Sequence, residues 1–260
     1  MVEIGPGEGA LTWPLVEKCA GLGCKILAIE KDEQLVDKMW KKGSGYRVQG
    51  IGKNVEEILE VVAGDALGEL PKITSKLKAI SYKLVGNIPY YITGQILRVI
   101  GELENKPSLT VLMVQKEVAE RVAAKPPKMN LLAAATQVWA DVSLLFSLKP
   151  KDFSPSPKIN SSVIKLQLAT EYEKGHEYTK EKITNYYKTI KAVFKQPRKT
   201  LLNNIQENKK TGELENGRTK KQEYKGEVLN ILKKMGFDEK TRGQSLSIDD
   251  LLRLADFFNE

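Results

Sequence analysis

Gly5-Pro6-Gly7-Glu8-Gly9 stands where the apolar stretch Val2-Glu3-Ile4 gives way to a helical pattern running from Gly9 to Ala20. Glycine at such a junction lets backbone come close to a ligand, and a helix N-terminus offers it unbonded N–H groups. Glu30 closes the next apolar run, Lys25-Ile26-Leu27-Ala28-Ile29, where a carboxylate can accept from two ribose hydroxyls. Gly5, Gly7 and Ala10 also satisfy the dinucleotide spacing G-x-G-x-x-[GA]. These residues together point to an adenosine-containing cofactor; the pattern admits S-adenosylmethionine and NAD alike. Asp65, with Ala66 beside it in Gly64-Asp65-Ala66-Leu67, can accept from the exocyclic amine of a cofactor adenine. The same aspartate would also serve as a helix N-cap.

Asn87-Ile88-Pro89-Tyr90-Tyr91 follows a fourth apolar run. An exocyclic adenine amine is a poor nucleophile because its lone pair is delocalised into the ring. The Asn87 side-chain oxygen and the Ile88 carbonyl can accept its two N–H bonds and favour a pyramidal nitrogen. Pro89 holds the backbone so that both acceptors converge, and Tyr90 offers a face on which an extracted base stacks. The segment is similar to the (N/D)-x-P-(Y/F) motif of methyltransferases that modify exocyclic amines of bases, which favours S-adenosylmethionine over NAD. A second aromatic, Phe153, lies in Lys149-Pro150-Lys151-Asp152-Phe153-Ser154-Pro155-Ser156-Pro157-Lys158. Prolines at 150, 155 and 157 exclude regular structure. A rigid, extended loop projecting one aromatic is expected there.

These residues need a frame. Short apolar runs at 2–4, 25–29, 59–62, 82–85 and 109–114 alternate with helical periodicity at 9–20, 32–42 and 94–103. Such alternation implies parallel strands in a doubly wound sheet. Further helices are expected over 116–124 and 130–139, and two more strands over 142–148 and 162–168. Gly43 to Gly52 reads as a loop. Beyond Ala169 the strand pattern stops, and helices are expected over 180–195, 198–206 and 224–235, with a polar loop from Gly212 to Gly217. Ser247 and Asp250 resemble a capping box for a last helix whose apolar face is Leu251, Leu254, Ala255 and Phe258. The fold class is α/β, a mostly parallel Rossmann-like sheet over residues 1–170, with a small all-α domain over 171–260.

Four segments carry a resemblance to a known family: Val2 to Thr12, Gly86 to Thr93, Gln115 to Arg121 and Phe153 to Ser161. Together they resemble the ribosomal RNA adenine dimethyltransferases, through nearly the whole chain. The tail segments Val193-Phe194-Lys195-Gln196-Pro197-Arg198-Lys199-Thr200-Leu201 and Gln244-Ser245-Leu246-Ser247 are similar to the small-subunit branch. The resemblance implies a class I methyltransferase fold and dimethylation of two adjacent adenines near the 3′ end of 16S rRNA during small-subunit assembly. It implies S-adenosyl-L-methionine contacts at Gly5, Gly7, Glu30, Asp65, Ala66 and Asn87. Tyr90 and Phe153 would sandwich the adenine, and no metal is required. Members of the family carry a few dozen residues ahead of the first strand; Met1 here stands inside it, and an upstream start codon is the expectation.

Net charge is +8 overall, and the stretch Tyr178 to Lys225 holds 13 basic and 5 acidic residues. Such an excess favours a polyanion. Lys195, Arg198 and Lys199 are the expected rRNA contacts. The single histidine, His176, excludes an HExxH zinc helix and multi-histidine metal sites. Cys19 and Cys24 are expected as two reduced thiols. No apolar run is long enough to cross a bilayer, and a cytoplasmic monomer without a signal peptide is expected. The rival readings are a non-catalytic RNA-binding assembly or transcription factor on the same fold, the large-subunit rRNA branch, and an NAD-dependent dehydrogenase.

Overall fold

Strand-forming runs that are apolar on both faces build the centre of the sheet, as parallel strands covered by helices require. The computed structural model describes residues 1–44, 54–77, 80–169, 179–209 and 218–258. Seven strands form one sheet: β1 (Val2–Ile4), β2 (Ile26–Glu30), β3 (Leu59–Ala63), β4 (Lys83–Asn87), β5 (Leu109–Gln115), β6 (Ala140–Leu148) and β7 (Ser161–Leu168), in the order β3-β2-β1-β4-β5-β7-β6. β1 to β5 run parallel, and β7 pairs antiparallel with both β5 and β6. Ile4 stands opposite both Ile29 and Gly86, and Asn87 opposite Met113. The strand order therefore reverses between β1 and β4, and at such a switch point the strand ends splay into a ligand crevice.

Helices α1 (Thr12–Leu22), α2 (Glu33–Gly43), α3 (Ala66–Lys76), α4 (Thr93–Glu102) and α5 (Lys116–Val122) connect the parallel strands. Val16, Cys19 and Ala20 of α1 recur at helical spacing and are buried, as are Ile96, Leu97 and Ile100 of α4. Val2, Ile4, Leu84, Leu112 and Ile164 fill the sheet side of the same core. Asp32 caps α2 by accepting from the Gln34 and Leu35 amides. α3 has no counterpart in the apolar pattern. Pro71 lies inside it and only Ala66, Leu70, Ile73 and Thr74 are buried, so its periodicity is faint in the sequence.

The chain divides into two compact units, Met1–Glu120 with Trp139–Leu168, and Arg121–Val138 with Ala169–Glu260. The second unit contains α6 (Leu131–Gln137), α7 (Lys180–Val193), α8 (Leu201–Lys209), α9 (Arg218–Lys234) and α10 (Ile248–Phe257). This differs from a single boundary near residue 170 in one segment. Arg121–Val138 joins the helices because fully buried Tyr186 donates from its hydroxyl to the Ala134 carbonyl at 3.0 Å, and Tyr187 to Ala135 at 3.3 Å. The Ser247–Asp250 capping box starts α10, whose Leu251, Leu254 and Ala255 are buried.

Three expectations are corrected. Cys19 and Cys24 are joined as a disulfide rather than standing as thiols: Gly23 takes a left-handed conformation at the end of α1 and turns the chain back, leaving the two Cα atoms 4.8 Å apart. The proline-rich loop is not irregular throughout. Pro150–Asp152 forms a 3-10 turn, with proline at its first position, where the missing N–H is not needed. The third concerns lengths: β6 begins at Ala140 and α9 at Arg218, both earlier than their apolar patterns suggest. The loop expected to follow Gly43 lies, from residue 45 on, outside the described residues, as do Gly212–Gly217 and His176. Among the described residues no helix is long and apolar enough to cross a membrane.

Candidate active site

Because β1 to β5 are parallel, their C-terminal ends all open on one edge of the sheet. Gly5 follows β1, Lys31 follows β2, Gly64-Asp65 follow β3 and Asn87 ends β4. Gly5, Gly7 and Gly9 all adopt positive φ, at 66°, 58° and 87°. The loop they form folds back tightly, with the Gly9 amide donating to the Pro6 carbonyl at 2.9 Å. A side chain at Gly9 would collide with the Trp13 indole, and one at Gly5 would reach the Asn87 carbonyl at 3.5 Å. The glycine loop and the Asn87 backbone are thus direct neighbours across the switch point. No side chain caps the N-terminus of α1, whose first N–H groups follow this loop.

Glu30 is buried, and its carboxylate accepts from the Gly7 amide at 3.0 Å and the Asp32 amide at 2.9 Å. It ties the glycine loop to the end of β2, and a carboxylate with two bonds still has acceptor capacity for a hydroxyl. Asp65 accepts from the Leu67 amide at 3.0 Å, capping α3, and from Lys31 Nζ at 2.9 Å. The Lys31 ammonium holds the Asp65 carboxyl below its usual range. Ala66 opens α3 and is buried. Asn87 is exposed, and its carboxamide takes no hydrogen bond among the described residues. The Ile88 amide donates to the Met113 carbonyl at 3.1 Å and its side chain is buried, which pins the backbone beside that carboxamide. Pro89 leads into a 3-10 turn, Tyr90–Ile92, ahead of α4.

Tyr90 is half-buried, and its hydroxyl lies 2.8 Å from Ser161 Oγ. Ser161 opens β7, opposite Gln115 on β5 and Leu148 on β6. The loop bearing Phe153 leaves β6 at Leu148 and returns at Ser161, so one of its roots is bonded to the Tyr90 hydroxyl and the other pairs with that root. Phe153 is partly buried, and its amide donates to the Pro150 carbonyl at 3.2 Å.

Several residues at this edge escape sequence reasoning. Glu3 is fully buried on β1, its Oε2 has no partner, and burial pushes its carboxyl up to about 7. The Thr12 hydroxyl opposes part of that rise, and Trp13 Nε1 is buried without a hydrogen-bond partner among the described residues, beside Gly9. An acid inside Val2-Glu3-Ile4 was the available signal for the first of these. Ser161 and the Lys31–Asp65 pair gave none. The glycine cradle and the acceptors Glu30 and Asp65 fit a ligand with hydroxyl, amine and ammonium groups, as S-adenosylmethionine has.

In the second unit, Lys195 and Arg198 are exposed on the turn between α7 and α8. Lys199, the third expected rRNA contact, is partly exposed, and its ammonium meets Glu207 Oε1 at 2.5 Å. Buried Asn204 fixes this turn by donating to the Val193 and Gln196 carbonyls at 2.9 and 3.0 Å and accepting from the Gln196 amide at 3.2 Å.

The sheet order and the glycine loop at the switch point, with the Asn87 backbone beside it, define a class I methyltransferase fold. Two solved structures share it: a dimethyladenosine transferase from Plasmodium falciparum (TM-score 0.71, 22% identity, 99% of this chain and 89% of that one) and the 23S rRNA methyltransferase ErmE (TM-score 0.66, 20% identity, 100% and 90%). Ribosomal RNA small subunit methyltransferase A of Halothermothrix orenii is 32% identical over 264 residues, covering 98% of this chain and 77% of that protein. The protein of the same name from Desulfitobacterium hafniense is 36% identical over 255 residues, covering 96% and 78%. Residues 1–259 match the ribosomal RNA adenine dimethylase family, and the chain belongs to it.

Proposed function

We propose that this chain transfers methyl groups from S-adenosylmethionine to N6 of two adjacent adenines near the 3′ end of 16S rRNA, as a cytoplasmic monomer acting on the small-subunit precursor. The observation that carries the reading is the Asn87 carboxamide, exposed and without a hydrogen bond among the described residues, on backbone that abuts the glycine loop at the switch point. The small-subunit assignment is supported by the names of the full-length relatives.

When bound, S-adenosylmethionine supplies an electrophilic methyl group. Gly5, Gly7, Glu30, Asp65, Ala66 and Asn87 would hold it. Asn87 Oδ1 and the Ile88 carbonyl would accept the two N6 hydrogens of an extruded adenine and turn the lone pair outward. Tyr90 and Phe153 would stack on the ring and stabilise positive charge arising on N6. The methylated amine is acidic and loses its proton to solvent, so no strong base is needed at Asn87. The work of the residues is extraction and alignment. Lys195 and Arg198 would grip phosphates, giving affinity rather than base reading.

Primer extension on small-subunit rRNA after incubation with labelled cofactor tests the substrate, with 23S rRNA as the competing arm. Asn87→Ala is expected to abolish transfer while rRNA binding stays near the wild-type value. Transfer by that variant at a near-normal rate would overturn the mechanism.

A further inference from the structure

The Tyr90–Ser161 contact has no part in the acceptor chemistry just described, yet it joins two segments 71 residues apart in sequence. Ser161 is almost fully buried, at 1% exposure. Its neighbours are rigid: it pairs with Gln115 and Leu148, and the preceding Asn160 carbonyl accepts from the Lys116 amide at 3.0 Å. Ser162 beside it bonds Ser147 across β6 and β7 at 2.8 Å. Tyr90, by contrast, sits on a short 3-10 turn with no buried side chain of its own. A tyrosine ring on such a turn can pivot about its side-chain torsions unless its hydroxyl is held. Burying the Ser161 hydroxyl without a partner would be costly, and Tyr90 Oη supplies that partner.

We propose that Ser161 is a positioning residue: through its bond to Tyr90 it fixes the plane of the adenine platform relative to the root of the loop carrying Phe153. One buried hydroxyl thereby sets the slot between the two aromatic rings. This rests on the reading of Tyr90 and Phe153 as the base sandwich. Ring orientation matters in the reacting complex, whereas phosphate contacts dominate RNA affinity. Loss of the bond therefore falls on kcat and leaves KM for rRNA and the affinity for S-adenosylmethionine unchanged.

The test is a double-mutant cycle of Ser161→Ala and Tyr90→Phe, assayed by methyl transfer to small-subunit rRNA. Each single variant is expected to lower kcat roughly tenfold, about the effect of one net hydrogen bond. The double variant is expected to be no slower than either single one, because both remove the same bond. A purely structural role for Ser161 would instead lower the thermal midpoint without coupling to Tyr90. Wild-type kcat in Ser161→Ala, or losses that multiply in the double variant, would overturn the proposal. If Ser161→Ala does not fold, Tyr90→Phe removes the same bond from the half-buried side, and an unchanged kcat there overturns it equally. A wild-type protein that methylates no rRNA would overturn the proposed function itself, and this inference with it.

Discussion

Asn87 is exposed, with no hydrogen bond to its carboxamide among the described residues, and Phe153 is half-buried. That separates them from Glu30 and Asp65, which are already engaged in holding the glycine loop and capping α3. All four are placed legibly in the sequence, each at the end of a recognisable strand or in a proline-rich loop. It could not apportion their bonds, because the Gly7–Glu30 and Lys31–Asp65 contacts join strand ends that only the parallel pairing brings together. Phe153→Ala is expected to weaken transfer by about 1–3 kcal/mol, the worth of one stacked base. Methylation rates at subsaturating rRNA measure this, and an unchanged rate would remove Phe153 from the sandwich.

At the scale of elements, strands and helices with strong apolar period are readable, and those that lean on tertiary contacts are not. α1, α2 and α4 follow their patterns, whereas α3 with its internal proline does not. The segment Arg121–Val138 reads as helical, but its membership in the second unit depends on the hydroxyls of Tyr186 and Tyr187 finding carbonyls at Ala134 and Ala135. The turn between α7 and α8 illustrates the same limit for charge. Lys199 counts as a free cation in the sequence, but Glu207 from α8 occupies it. Glu207→Ala is expected to release Lys199 for phosphate, tighten rRNA binding and steepen the log K against log salt plot by about 0.7–0.9. A salt titration of binding checks this; an identical slope would leave Lys199 outside the RNA contact.

For the whole molecule, the buried Glu3 carboxyl links stability to pH. Its folded-state pKa of about 7 lies above the ordinary value of 4.5. Below the ordinary value both states are protonated and the full contribution is present. As pH rises the unfolded chain ionises alone, and the contribution is lost by the time pH passes the folded value, a decline on the order of 3 kcal/mol. Glu3→Gln is expected to hold its stability across that window, measured by denaturant unfolding at mildly acidic and mildly alkaline pH. Parallel curves for wild type and variant would show that Glu3 ionises freely in the folded protein.

β7 lies between β5 and β6, so the segment from Lys149 to Asn160 begins and ends on adjacent strands of a hairpin. The cofactor-side residues hang instead from β1 to β4. On the proposed role of Phe153, exchanging the tip of that hairpin is expected to change methyl transfer to rRNA while the affinity for S-adenosylmethionine stays as it is.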